Sequence, residues 1–130
     1  MVLPVVLRGR RLAESLMTTI VRIERQTGET EQVGYEVIPV RKVVYEGPAK
    51  LQTYEGHERT AQVGASSAVE QRMTLHLPHG ALRTKPGDLA TCLSSTDSLL
   101  IGRRFRITQE YPVKEHATAY RVFVDELIEG

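Results

Sequence analysis

The chain has 130 residues, 17 of them Lys or Arg and 16 Asp or Glu, with 41% hydrophobic and 25% charged residues. That balance excludes wholesale disorder and a fibrous repeat, and a chain of this length can fold as one domain, residues 1–130, without a metal or disulfide staple. A single cysteine, Cys92, forbids an intrachain disulfide, and no apolar run nears the ~20 residues of a membrane helix, so a soluble intracellular domain is expected.

After Pro4 the spacing predicts one helix over residues 8–18, with Leu12 and Leu16 at i, i+4 and Ala13 and Met17 alongside. Arginines at its start stand at the wrong end for the helix dipole, which points to a partner or to solubility. Ile20, Val21 and Ile23 read as strand, and Thr27-Gly28-Glu29 as a turn. Residues 30–39 are polar and end at Pro39, the pattern of a mobile or edge segment. Residues 40–45 and 49–54 read either as a strand pair or as one strand bent at Gly47-Pro48.

Residues 55–68 are small, polar and aperiodic, which predicts a loop too long for a plain connection. Residues 69–77 alternate again, with Met73, Leu75 and Leu77 on one face. Lys85-Pro86-Gly87-Asp88 has Pro and Gly where a type II turn wants them. Strands follow over 89–93, 103–111 and 119–124. In the second, Phe105 and Ile107 alternate with Arg104 and Arg106; in the third, Tyr120, Val122 and Val124 share a face. The expected fold is mainly β: a small barrel of about six strands, one short N-terminal helix and a long loop between early strands. With few aromatics, its core must be built from Val, Leu and Ile.

No pattern argues for catalysis. His76 and His79 resemble metal ligands, but on a strand their odd spacing sends them to opposite faces. Completing a site would take His57, His116 or Cys92, which the spacing does not require. Ser66, Ser67, Ser94 and Ser95 lie in no nucleophile-elbow pattern, and no phosphate-cradling glycine motif occurs. Cys92 reads as a small core residue, and the acidic pair Asp125/Glu126 sits near an exposed terminus. No enzymatic activity and no cofactor are expected.

Charge is segregated along the chain. Residues 1–25 hold five arginines against two glutamates, and residues 83–106 hold five cations against two aspartates. Residues 110–130 reverse this, with Lys114 and Arg121 against five carboxylates. Such stretches can meet between neighbouring subunits. The sequence pI of about 7.9 disfavours a monomeric nucleic-acid binder. In the 103–107 strand the basic face carries no aromatic platform for bases, so Arg103, Arg104 and Arg106 read as subunit or DNA-phosphate contacts.

Taken in order, the chain resembles the head–tail connector proteins of long-tailed bacteriophages, in particular the stopper, or head-closure, group. The resemblance spans roughly Leu12 to Leu127. It rests on the helix RRLAESLM, the strand TIVRIERQTGE, Val44-Tyr45-Glu46-Gly47-Pro48-Ala49, the turn Lys85-Pro86-Gly87-Asp88-Leu89, the strand Gly102-Arg103-Arg104-Phe105-Arg106-Ile107 and the closing strand 118–124. The resemblance implies a structural virion protein assembled in the host cytoplasm into a homo-oligomeric ring, hexameric or dodecameric, at the neck. Its partners would be an adaptor or portal ring on the head side, a tail terminator or tail tube on the other, and packaged double-stranded DNA in the channel, with no membrane.

In stopper-like proteins a long loop projects into that channel. The matching segment here contains Glu55, Gly56, His57, Glu58, Arg59, Gly64, Ser66 and Ser67 as candidate gating residues. Its glycines permit rearrangement, and its mixed charge suits a steric gate as well as one that grips DNA. The alternatives are a tail terminator or other neck ring, and a small β-barrel that binds nucleic acid.

Overall fold

The computed structural model describes residues 3–54, 60–63, 66–69, 72–110 and 117–127. A helix, α1 (Pro4–Ser15), precedes strands β1 (Thr19–Val33), β2 (Glu36–Tyr54), β3 (Thr60–Val63), β4 (Ser66–Val69), β5 (Arg72–Pro78), β6 (Leu89–Ser94), β7 (Arg104–Glu110) and β8 (Ala119–Leu127), with a 3₁₀ turn at Ser98–Leu100. Six strands pair antiparallel in the closed order β1-β2-β5-β8-β7-β6, with β6 returning to β1. The result is a barrel. Among the described residues no helix is long and apolar enough to cross a membrane.

Alternation builds the core. Val21 and Ile23, Leu75 and Leu77, Phe105 and Ile107, and Val122 and Val124 turn inward from four strands, joined by Ala49 and Ala90. Their neighbours at odd offsets face outward, as the period of two requires. Among the described residues Phe105 is the one aromatic in the fully buried set, with Tyr45 and Tyr120 packed against it, so aliphatics make up most of the core.

The helix begins earlier than its periodicity predicts. Pro4 takes the first turn, where its missing N–H costs nothing, and the helix ends at Ser15 rather than running to residue 18. Its buried contacts are also different. Val6 and Met17 face the barrel, whereas Leu12 and Leu16 are 67% and 55% exposed. The helix packs on β5 and β8, where Gly9 lies against Thr118 and Arg10 Nε donates to the Ala117 carbonyl at 3.1 Å.

The two readings of residues 40–54 resolve into one strand. β2 runs unbroken through Gly47-Pro48, because its pairing with β5 begins only at Lys50 and Pro48 has a partner, Ile20, on one side. The Tyr45 hydroxyl donates to the Pro48 carbonyl at 2.6 Å across the irregularity.

The segment read as an aperiodic loop is not all loop. Residues 60–63 and 66–69 pair antiparallel, Thr60 with Val69 and Val63 with Ser66, as a separate two-stranded sheet between β2 and β5. Ser66 and Ser67 belong to β4. Glu55, Gly56, His57, Glu58, Arg59 and Gly64 lie outside the described residues.

The Lys85–Asp88 turn forms as predicted. The Asp88 N–H donates to the Lys85 carbonyl at 3.1 Å, and Gly87 has φ +95°. A Cβ at Gly87 would meet nothing within 4 Å, so the cost of Gly87→Ala is backbone strain alone. We expect a loss of about 1–2 kcal/mol in urea unfolding. An unchanged midpoint would mean that the turn relaxes to another type.

Candidate functional site: an arm and the cleft at its base

β1 pairs with β6 only over Ile20–Glu24, yet it continues to Val33. Beyond the barrel its one neighbour among the described residues is β2, and the two form a ribbon: Thr30 opposite Pro39, Glu31 opposite Ile38, Gln32 opposite Val37 and Val33 opposite Glu36. The turn predicted at Thr27-Gly28-Glu29 is instead a bulge inside β1, lying in a register shift between Gln26 and Thr30, with Gly28 at φ +87°. Thr27 Oγ1 donates to the Val40 carbonyl at 3.1 Å across it. The true reversal is Gly34-Tyr35, with Gly34 at φ +64°. A left-handed glycine at the first position of a two-residue loop is what hairpin twist demands.

Residues 26–33 of β1 are all exposed. So are Val37, Ile38 and Val43 on β2, while Tyr35 stands wholly in solvent at the tip. A two-stranded ribbon is marginal in water by itself, and this one presents unpaired edges and apolar side chains together. At about 3.3 Å per residue the arm reaches roughly 25 Å from the barrel rim.

A buried ion pair fixes the arm's base. Arg25, the last barrel residue before the ribbon, donates from Nε and Nη2 to the two carboxylate oxygens of Asp88 at 3.0 and 2.9 Å. Asp88 is 2% exposed and also accepts from the Lys85 N–H at 2.8 Å, so the PGD turn holds its own carboxylate in place. The hydrogen bonds it donates to Asp88 hold the Arg25 guanidinium firmly charged, with its pKa raised despite partial desolvation. Beside the pair opens a cleft of about 500 Å³, lined by Arg25, Arg41, Lys85 and Arg106 with Gln26 and Leu127 among others. Arg41, Lys85 and Arg106 form no ion pair among the described residues, so the cleft carries excess positive charge.

The arginines nominated from sequence separate. Arg106 lines this cleft. Arg103 instead pairs with Glu126 at 3.4 Å, and Arg104 lies half-buried opposite Leu127. Another pair, Arg83 with Glu110 at 3.3 Å, also joins the basic and acidic stretches inside one chain. Some of the charge segregation is therefore satisfied intramolecularly. Arg25, Arg41 and Lys85 escaped sequence reading because they come from three separate segments.

No group of three or more metal-ligating side chains comes together among the described residues. His79 is exposed, and His76 sits between Lys50 on β2 and Arg121 on β8. Burial, then Arg121 and Lys50, lower the His76 pKa to about 4. An unfolded histidine protonates near 6.5, so between those values the unfolded chain binds more protons and stability rises with pH. The contribution is complete above about pH 6.5 and is lost on acidification toward 4. We expect His76→Gln to flatten that part of the stability profile and an NMR titration of His76 to show a midpoint near 4; a midpoint above 6 would refute the assignment. Cys92 is buried, and desolvation pushes its thiol pKa up.

Arm, barrel and cleft define a class: a closed six-stranded β-barrel that carries an unpartnered ribbon and a basic recess at the ribbon's root. The chain belongs to the family of unknown function DUF6093, whose model matches residues 9–125. No curated protein and no solved structure matches it.

Proposed function

We propose that this protein is a structural ring subunit of the head–tail connector of a tailed phage, of the stopper type, which closes the DNA channel after packaging and docks the tail. The arm carries this reading. A 25 Å-scale ribbon (~3.3 Å per residue) with exposed apolar side chains gains its stability from a neighbour, and a heterologous contact of that kind closes rings. The resemblance in order of elements and the barrel itself agree with it. So does the basic cleft, because a ring multiplies each cation by its number of subunits and needs few per chain to engage DNA phosphates.

The test is capture. Purified chain is mixed with DNA-filled, tailless heads, the heads are sedimented, and bound protein and leaked DNA are assayed together. Stoichiometric capture with reduced leakage is expected. Capture by isolated tails instead would move the protein to the terminator side of the joint, and binding to neither would remove the connector reading.

The same cleft supports a second reading, a small barrel that binds nucleic acid as a free subunit. Arg41, Lys85 and Arg106 would then supply phosphate contacts. That reading requires DNA affinity that falls steeply with salt, and Lys85→Gln with Arg106→Gln would reduce the slope.

A further inference from the structure

We infer that the arm of one copy docks on the outer face of α1 of the next, a contact that rests on the reading of the chain as a ring subunit and names its interface. On an antiparallel ribbon, residues directly opposite share a face. Val33 and Glu36 are opposite, and so are Glu31 and Ile38; strand alternation puts all four on the same side. That side therefore offers two apolar groups, each beside a carboxylate. From residue 26 to residue 40 the arm has no Lys or Arg at all.

The outer face of α1 is its complement. Val5, Arg8, Leu12 and Leu16 fall on one stripe at helical spacing, with Arg11 at its margin. Val5, Leu12 and Leu16 are 60%, 67% and 55% exposed, whereas Val6, on the other side of the helix, is buried. Neither Arg8 and Arg11 nor Glu31 and Glu36 form an ion pair among the described residues. Acidic–apolar meets basic–apolar.

The two surfaces cannot meet within one chain. α1 packs on β5 and β8, with Glu14 near Tyr45 opposite Ile23, and Glu31 lies eight positions further along β1, roughly 25 Å away. A chain with two complementary surfaces that it cannot itself bring together associates head to tail, and such contacts close into rings or run on as filaments.

Charge exchange tests this. Glu31→Arg with Glu36→Arg makes both surfaces of a chain basic; Arg8→Glu with Arg11→Glu makes both acidic. In sedimentation velocity over rising concentration the wild type should self-associate. Each variant alone should associate roughly 100-fold more weakly or worse, since attraction becomes repulsion. An equimolar mixture should recover assembly, and so should one chain carrying all four changes.

As a second readout, Leu12→Cys and Ile38→Cys chains, both in a Cys92→Ala background, should form a mixed disulfide on oxidation. Variants that associate like the wild type would overturn the inference, as would a mixture that fails to recover. A wild type that stays monomeric and yields no mixed disulfide would overturn it too. Arm–helix association without capture by heads would remove the connector reading alone. Capture by heads that is unchanged in each charge-reversed pair on its own would remove this inference alone.

Discussion

Asp88→Asn is expected to cost about 3 kcal/mol of folding stability, read as a lower urea midpoint at pH 7. The carboxylate is 2% exposed and takes two guanidinium hydrogen bonds and one backbone hydrogen bond. An amide has the same shape but turns an NH₂ group toward either Arg25 or the Lys85 N–H, and it cannot neutralise the arginine. Removing one partner of a buried pair costs about 3–5 kcal/mol. The Arg25 side chain is 22% exposed, so water screens part of the orphaned charge and the lower end applies. Replacing both residues, Arg25→Met with Asp88→Leu, should recover part of the loss, because no uncompensated charge is left. A loss below about 1 kcal/mol in Asp88→Asn would show that the base of the arm is held by the backbone alone.

The second large effect separates stability from assembly. Replacing residues 27–40 with the dipeptide Asn-Gly joins Gln26 to Arg41, which are already paired, through a loop suited to a tight hairpin. Among the described residues the ribbon pairs with no third strand, and residues 26–33 are exposed throughout, so unfolding free energy should change by no more than about 1 kcal/mol. Capture by tailless heads should nevertheless be lost. A shortened chain captured as well as the wild type would show that the ring, if formed, closes through the barrel wall. A shortened chain that unfolds would show that the arm supports its own barrel.

Much of the fold was legible because strands have a period of two. Leu75 and Leu77, Phe105 and Ile107, and Val122 and Val124 alternate with polar neighbours, and the side they share had to face a common interior. The Pro86-Gly87 turn was equally plain, since only a few residues suit those backbone angles. Local signals misled where they competed. Gly28 offered a turn, but cross-strand pairing carried β1 past it as a bulge. The apolar pair Leu12/Leu16 suggested the buried face of α1, yet the barrel took Val6 and Met17 because the chain enters β1 directly after the helix. Val33-Gly34-Tyr35-Glu36 held the hairpin signal that polar composition around it obscured.

The candidate site was less legible for a different reason. Arg25 and Asp88 are 63 positions apart, Lys85 shares the turn of Asp88, and Arg41 and Arg106 come from two more places in the chain. No local rule links such residues; barrel closure, which lays β1 beside β6, does. By itself the sequence determined the inward-facing segments of the barrel strands and the PGD turn, all of which depend on neighbours a few residues apart. Only the tertiary structure decided that residues 26–41 extend past the barrel as an arm, that Asp88 locks its base, and that the outer face of α1 and the apolar groups of the arm are both left exposed within one chain. Those facts depend on which strands find partners, and strand partnership is set by long-range hydrogen bonding and packing rather than by local pattern.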